Sequence, residues 1–253
     1  MNHRPILPLM LLMTVFIALF FLLNLLLGSV DIPLRSVCRI LAGGTDEPVV
    51  WQNIVWKSRV PQALTALVAG AGLSVSGLQM QTVFRNPLAD PSVLGVSSGA
   101  SLGVAMVVLL SGAVGGVALS RLGYLGEVAL SLAAIVGAMS VMALIVYVSM
   151  KVRGNVTLLI IGVMIGYVAN AVIGVLKFFS VEEDIRAYVI WGLGSFARVS
   201  GDQMLLFVGI MAVLLPLSFL LIKTMNLLLL GNSYARNLGL NIKRARLLVI
   251  SCS

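Results

Sequence analysis

A series of apolar runs, each about as long as a bilayer is thick, limits most strongly what this chain can fold into. A helix crossing the hydrocarbon core needs about 20 mostly apolar residues. Runs of that kind lie at roughly 8–28, 61–84, 93–111, 127–149, 157–177 and 203–222, and a seventh begins near 245. Of the 253 residues, 60% are hydrophobic and 10% charged. A soluble domain is roughly 45–50% apolar and about 25% charged. Barrel strands would alternate in polarity over about 10 residues, and these runs do not alternate. The expectation is an all-α, polytopic transmembrane helix bundle in a single domain, 1–253, with six full spans and the start of a seventh. The first run, Leu9 to Leu27, exceeds the roughly 7–15 residues of a signal-peptide core, and no A-x-A site follows it. It reads as a span.

The net charge is +8. In a soluble protein that would suggest nucleic acid, but here the charges sit in short connections between apolar runs. Topology is the better reading, and no nucleic-acid partner is expected. Basic residues are denser in the loops holding Arg4, Arg85, Lys151, Arg153, Lys223, Arg236, Lys243, Arg244 and Arg246. The positive-inside rule then places those loops, and the N-terminus, on the cytoplasmic side. Cys38 and Cys252 lie far apart and show neither disulfide-framework nor metal-ligand spacing.

Four connections stand out. Residues 29–60 mix Ile32, Leu34, Val37, Ile40 and Leu41 with Arg35 and Arg39, as an amphipathic segment on the outer surface would. Residues 185–197 are too short to span and read as a short helix or re-entrant turn on the outer side. Residues 231–244 form a polar, basic inner loop, where Asn232 or Ser233 can cap a short helix and Gly239 can end it. In Arg85-Asn86-Pro87-Leu88-Ala89-Asp90-Pro91, two prolines four apart disfavour helix at the residues before them. The second span should stop there and the third start anew. An ordinary turn between helices would look the same.

Small residues recur at helical spacing: Gly95, Gly99 and Gly103; Gly162, Gly166, Asn170 and Gly174; Gly70, Ser74, Gly77 and Gln81. Positions four apart share a helix face, and small residues there let spans approach closely. Helix packing is the plain reading, and the lining of a pathway is the functional one. Gln79, Gln81 and Asn170 carry the same pair of readings, interhelical hydrogen bonding or a wet pathway. No span centre holds a clear ionisable residue, which argues against a proton-coupled carrier. The chain has no GxxxxGK[ST] phosphate loop, no HExxH, and one histidine, the terminal His3. Neither chemistry of its own nor a cofactor or metal is expected, so the chain is not itself an enzyme.

The stretch from Arg59 to Gly103, RVPQALTALVAGAGLSVSGLQMQTVFRNPLADPSVLGVSSGASLG, resembles the FecCD-like permeases of bacterial iron–siderophore, haem and cobalamin ABC importers. Trp191-Gly192-Leu193-Gly194-Ser195-Phe196 is similar to that family's W-x-x-G-S segment. Leu230 to Leu240, LGNSYARNLGL, is similar to its cytoplasmic coupling loop. The order and spacing of the three blocks agree, and the resemblance covers the chain from about residue 30 onward.

That resemblance implies the type II ABC importer permease fold, with ten spans in the family. It implies residence in the bacterial cytoplasmic (inner) membrane, a second permease subunit forming a homodimer or paired heterodimer, a pair of cytosolic ABC ATPases and a periplasmic substrate-binding protein. The ATPase-coupling loop maps to Ser233, Tyr234, Ala235, Arg236, Asn237, Leu238 and Gly239. Asn86 and Leu88 map to the cytoplasmic gate, and Thr157 belongs to the same constriction. The family reads R-x-P-R before the second span, and its arginines dock acidic residues of the binding protein; this chain has Arg59 but Gln62, so Arg59 is expected to dock alone or with Arg35, Arg39 or Lys57. Gly95, Gly99, Gly103, Gly162 and Gly166 are expected in helix packing. Since the family continues for about three more spans, the permease domain is expected to be incomplete at the C-terminus. Substituting Ala235→Asp is expected to abolish ATPase association, and Arg59→Glu to weaken docking. The rival function is a secondary transporter or channel working without an ATPase, which should carry intramembrane charges or inverted repeats. A membrane-embedded enzyme ranks third.

Overall fold

The computed structural model describes residues 6–87, 89–113, 124–152, 155–197 and 199–253. Among them there is no strand. In chain order the helices are α1 (Ile6–Leu26), α2 (Leu34–Leu41), α3 (Val49–Ile54), α4 (Val60–Phe84), α5 (Val96–Ala113), α6 (Tyr124–Lys151), α7 (Asn155–Phe178), α8 (Glu182–Gly192), α9 (Gly201–Phe219), α10 (Ile222–Leu229), α11 (Asn232–Asn237) and α12 (Ile242–Cys252). Among the described residues five stretches are long and apolar enough to cross a membrane: Ile6–Leu26, Val49–Phe84, Gly126–Val148, Thr157–Phe178 and Gly201–Phe219. The third expected span is a shorter apolar helix, Val96–Leu110, because Pro91–Leu94 is wound as a 3-10 turn and not as the start of α5.

The chain divides into two compact units, Met1–Gly72 with Ser195–Val213, and Leu73–Gly194 with Leu214–Ser253. In the first, Leu25, Ile32, Val37, Ile40, Val55 and Ala63 form the core. The mixed segment after α1 makes the amphipathic helix α2, which buries Ser36, Val37 and Ile40 and leaves Arg35 and Arg39 exposed. Helix begins at Val49, earlier than the apolar pattern implies, and runs through a π turn at Val55–Arg59 into α4. Pro61 explains the wide turn: proline lacks an N–H and its ring presses on the carbonyl four residues back, and a π turn is one way a helix absorbs that.

In the second unit α5 packs on α6 and α7, and α8 packs on α5. The core falls into two clusters at opposite ends of α5 and α7. One holds Met80, Phe84, Ala89, Leu94, Leu158, Met225 and Val249. The other holds Val104, Val108, Leu109, Ile173 and Tyr188. Leu158 and Ile173 mark the two ends on α7, about 22 Å apart at 1.5 Å per residue. At the second end Lys177 Nζ lies 4.8 Å from the Tyr188 ring centroid. Burial raises the Tyr188 phenol above its ordinary range, and a hydrogen bond with Ser101 partly opposes that.

The sixth span ends earlier than expected. α9 ends at Phe219, where Leu220 N–H and Leu221 N–H bond carbonyls three residues back, and the separate helix α10 follows. Ser218 is buried and donates to the Leu215 carbonyl at 2.6 Å, a local bond that competes with the regular ladder.

Candidate functional site

The first cluster gathers three features of the second unit: the turn after α4, the first turn of α7, and the α10–α11–α12 segment. The turn is built from local chemistry. α4 stops at Phe84, and Arg85 takes φ 49, a left-handed conformation. Asn86 N–H then bonds the Gln81 carbonyl at 3.2 Å, the six-to-one bond of a Schellman ending, in which the left-handed position is usually glycine. For an L-residue that conformation costs roughly 1–2 kcal/mol. Past it, Ala89 N–H bonds the Asn86 carbonyl at 3.0 Å, and Asp90 caps the 3-10 turn by accepting from Ser92 N–H at 2.7 Å. Pro91 sits at the first position of that turn, where a missing N–H costs nothing. The two prolines thus separate α4 from α5, as their spacing predicts. Asn86 is half-buried, and Ala89 is buried in the cluster. Leu88 lies outside the described residues. Thr157 is exposed in the first turn of α7, next to Leu158, which packs in the same cluster as Ala89.

The short helix expected in the basic loop is α11, but its start differs. Gly231 occupies the N-cap position with φ 117, no side chain caps the helix, and Asn232 is already its first residue. Neither Asn232 nor Ser233 is the cap, because the turn at Gly231 brings the chain into helix one residue sooner. The ending is as expected. Gly239 has φ 83, its N–H bonds the Arg236 carbonyl, and Leu240 N–H bonds the Ala235 carbonyl, each at 2.9 Å. That is a complete Schellman motif. Asn241 caps α12 by accepting from Arg244 N–H at 3.2 Å. On α11, Ala235 is 0% exposed, whereas Ser233, Tyr234, Arg236, Asn237 and Leu238 face outward. Tyr234 on α11 and Leu238 at its C-cap are four positions apart and share a face, whereas Arg236 projects from another side; the buried residue between them is Ala235.

Arg85 joins the two features. Its Nε and Nη2 donate to the Leu228 carbonyl at 3.1 and 2.6 Å. Leu228 is in the last turn of α10, and the same carbonyl accepts from Gly231 N–H at 3.3 Å. A guanidinium on the last carbonyls of a helix meets the negative end of its dipole. Beside this lies a cleft of about 290 Å³ lined by residues of α4, α9 and α10, among them Leu78, Gln79, Thr82, Phe219 and Met225. Gln79 is 1% exposed, and among the described residues neither its amide oxygen nor its nitrogen has a hydrogen-bond partner. Gln81 and Asn170 are exposed instead. Among the described residues no group of His, Cys, Asp and Glu could hold a metal ion.

Arg59 is elsewhere, in the first unit, and 4% exposed. Its Nη1 donates to the carbonyls of Leu25 and Leu26, each at 2.8 Å, and its Nη2 donates to that of Val30. The guanidinium closes the C-terminal end of α1. The exposed cations nearby are Arg35, Arg39 and Lys57, of which Arg39 pairs with Glu47 at 3.0 Å.

The glycines split into two contacts. A Cβ on Gly99 would lie 2.7 Å from the Gly137 carbonyl oxygen, and one on Gly103 would strike the Ala133 carbonyl. Gly137 is a partner that the stripes did not single out. Gly95 is not a helix position: it ends the 3-10 turn with φ 78, and a Cβ there would lie 2.8 Å from the Gly162 carbonyl oxygen. Gly162 in turn abuts Leu94, and Gly166 abuts Ser98.

Residues 15–253 match the model of the FecCD transport family. The chain belongs to that family. Among FecCD relatives, the hemin transport system permease protein HmuU of Yersinia pestis is 32% identical over 238 residues, covering 93% of this chain and 69% of its own. A probable iron chelatin transport system permease protein of Helicobacter pylori is 38% identical over 202 residues, 79% of this chain and 57% of its own. The vitamin B12 import system permease protein BtuC of Serratia proteamaculans is 36% identical over 200 residues, 79% of this chain and 56% of its own. This FecCD chain thus spans little more than half the length of the latter two. A solved metal-chelate type ABC transporter in an inward-facing conformation superposes with a TM-score of 0.75 at 27% identity, covering 94% of this chain and 70% of that one.

Proposed function

We propose that the chain is the membrane-spanning permease part of an ATP-binding cassette importer that passes a haem, iron–siderophore or cobalamin-type chelate into the cytoplasm. The observation that carries this is the family match across 15–253 on a helical chain whose α11 is exposed except at the buried Ala235. α11 is the surface for a cytosolic ATPase pair: Tyr234, Arg236 and Leu238 make the contact, while Ala235 and Gly239 set its shape. Asn86, Leu88 and Thr157 border the inner gate of a pathway completed by a second permease subunit. ATP-driven closure of the ATPases would shift the pair of permeases between two states, as alternating access requires. The protein is multi-pass in the bacterial cytoplasmic membrane with its N-terminus inside. A binding protein would dock at the opposite face, where the charges within reach are Lys57 and Arg35, with Arg59 holding the segment that carries them.

The test is reconstitution of the full-length protein with its candidate ATPase and binding protein in vesicles. ATP-dependent uptake of haemin, vitamin B12 or a ferric siderophore is expected. Uptake at full rate without ATP would instead favour a secondary transporter or channel.

A further inference from the structure

The ending of α4 breaks a local rule in a way that the fold alone does not require. The left-handed position of a Schellman motif is best filled by glycine, yet here it holds Arg85 at φ 49. A residue held in such a conformation persists because something else over-determines it. The something else is 143 residues away in sequence: the guanidinium puts two donors, Nε at 3.1 Å and Nη2 at 2.6 Å, on the Leu228 carbonyl. Leu228 itself is 2% exposed and part of the same cluster as Ala89 and Leu158.

We propose that Arg85 is the positioning residue that ties the Asn86–Asp90 turn to the α10–α11 junction, so that a displacement of α11 is carried to the turn. Only Leu229, Leu230 and Gly231 separate the gripped carbonyl from the first residue of α11. Gly231 N–H bonds the same Leu228 carbonyl, and Ala235 N–H bonds the Gly231 carbonyl at 2.9 Å. The link from α11 to Leu228 to Arg85 is therefore continuous hydrogen bonding. On the other side Arg85 is covalently joined to Asn86, and the bond from Asn86 N–H to Gln81 fixes where the turn leaves α4. A pull on the Leu228 carbonyl acts on the residue that sets the direction of the turn. This inference rests on the proposed coupling role of α11, and the two can fail separately.

Arg85→Gly is the informative variant, because glycine relieves the left-handed backbone while removing the grip. With the ATPase and binding protein in vesicles and haemin as the probe, Arg85→Gly should leave ATPase co-purification unchanged and ATP hydrolysis within about twofold. Haemin taken up per ATP should fall about tenfold, and Arg85→Lys, which keeps the charge without the fork, should fall in between. Unchanged uptake per ATP in Arg85→Gly overturns the proposal. So does loss of the ATPase together with uptake, since that describes a residue needed only for assembly. A second measurement does not depend on transport. With Cys38 and Cys252 replaced by serine, spin labels at Ser92→Cys and Asn237→Cys, both exposed sites, should give one narrow distance distribution. Arg85→Gly should broaden it. An unchanged width overturns the link whatever the transport assays read; absence of ATP-dependent uptake in the parent protein alongside a broadened distribution supports the link and counts against the importer reading.

Discussion

Arg59 shows what a single side chain hides. Its identity and its place before a span were plain, and a docking charge was a fair expectation. Its burial was not legible, because nothing near residue 59 announces that the last turn of α1, some thirty positions earlier, ends within reach of its guanidinium. Three carbonyls now accept from it. Removing a buried donor leaves each acceptor to bear its desolvation cost, about 1–3 kcal/mol where water cannot replace it. Arg59→Ala should lower the stability of the protein in detergent by about 2–3 kcal/mol, read as a fall in the thermal midpoint. Arg59→Lys should recover only part of that, since one ammonium cannot span three acceptors as the fork does. Lys57→Glu should leave stability unchanged and weaken binding-protein association most at low salt, where screening is least. A stability loss confined to Lys57→Glu would reverse these roles. Ala235 carries the same lesson. Because it is fully buried, Ala235→Asp would unseat α11 and so could not report on contact with an ATPase.

At the scale of helices, glycine spacing marks faces and cannot say what meets them. Gly99 and Gly103 lie one turn apart and press on the backbone of α6 at Ala133 and Gly137. Gly174 continues an equally regular stripe on α7, yet among the described residues nothing lies within 4 Å of where its Cβ would be. Periodicity is a property of one helix, whereas close approach is a property of two. The crossing should therefore be intolerant: Gly103→Leu has no flexible neighbour to displace and should cost about 3 kcal/mol or more. Gly174→Ala should be neutral, or stabilising by up to about 1 kcal/mol, since alanine is the better helix former. Thermal unfolding of both variants in one detergent checks the contrast, and equal losses would mean that α5 and α6 do not cross as described. Helix ends obey the same division. Gly239 was legible as a stop because a Schellman ending has a sequence signature. Arg85 was not, because an arginine in the left-handed region has none, and α10 was hidden because Lys223, just past the end of the sixth run, read as the start of a loop.

For the molecule as a whole, the apolar runs fixed the fold class, and the polar segments between them fixed its ends. Helices reverse direction at each connection, so alternate loops share a side. That rule already grouped the turn at 85–91 with the loop at 231–244, and in the second unit both do meet the cluster around Leu158 and Leu228. What parity cannot supply is which side chains of a loop face outward, and that decides how a partner surface is probed. Tyr234 on α11 is 57% exposed and Leu238, at its C-cap, 56%; they are the apolar side chains that a docked partner would desolvate. Interface energy concentrates in such anchors, aromatic ones above all. Tyr234→Asp should weaken ATPase association at least tenfold, equivalent to about 1.4 kcal/mol, and Leu238→Asp should do so to a similar degree. Neither substitution touches the buried alanine or the glycine turn, so membrane insertion and thermal midpoint should be unchanged. Co-purification of the ATPase from detergent extracts reads the first effect, and unfolding of the same samples reads the second. Retained association in both variants would place the ATPase contact elsewhere, and lost association accompanied by a lower midpoint would show that α11 is held by its outer face as well as by Ala235.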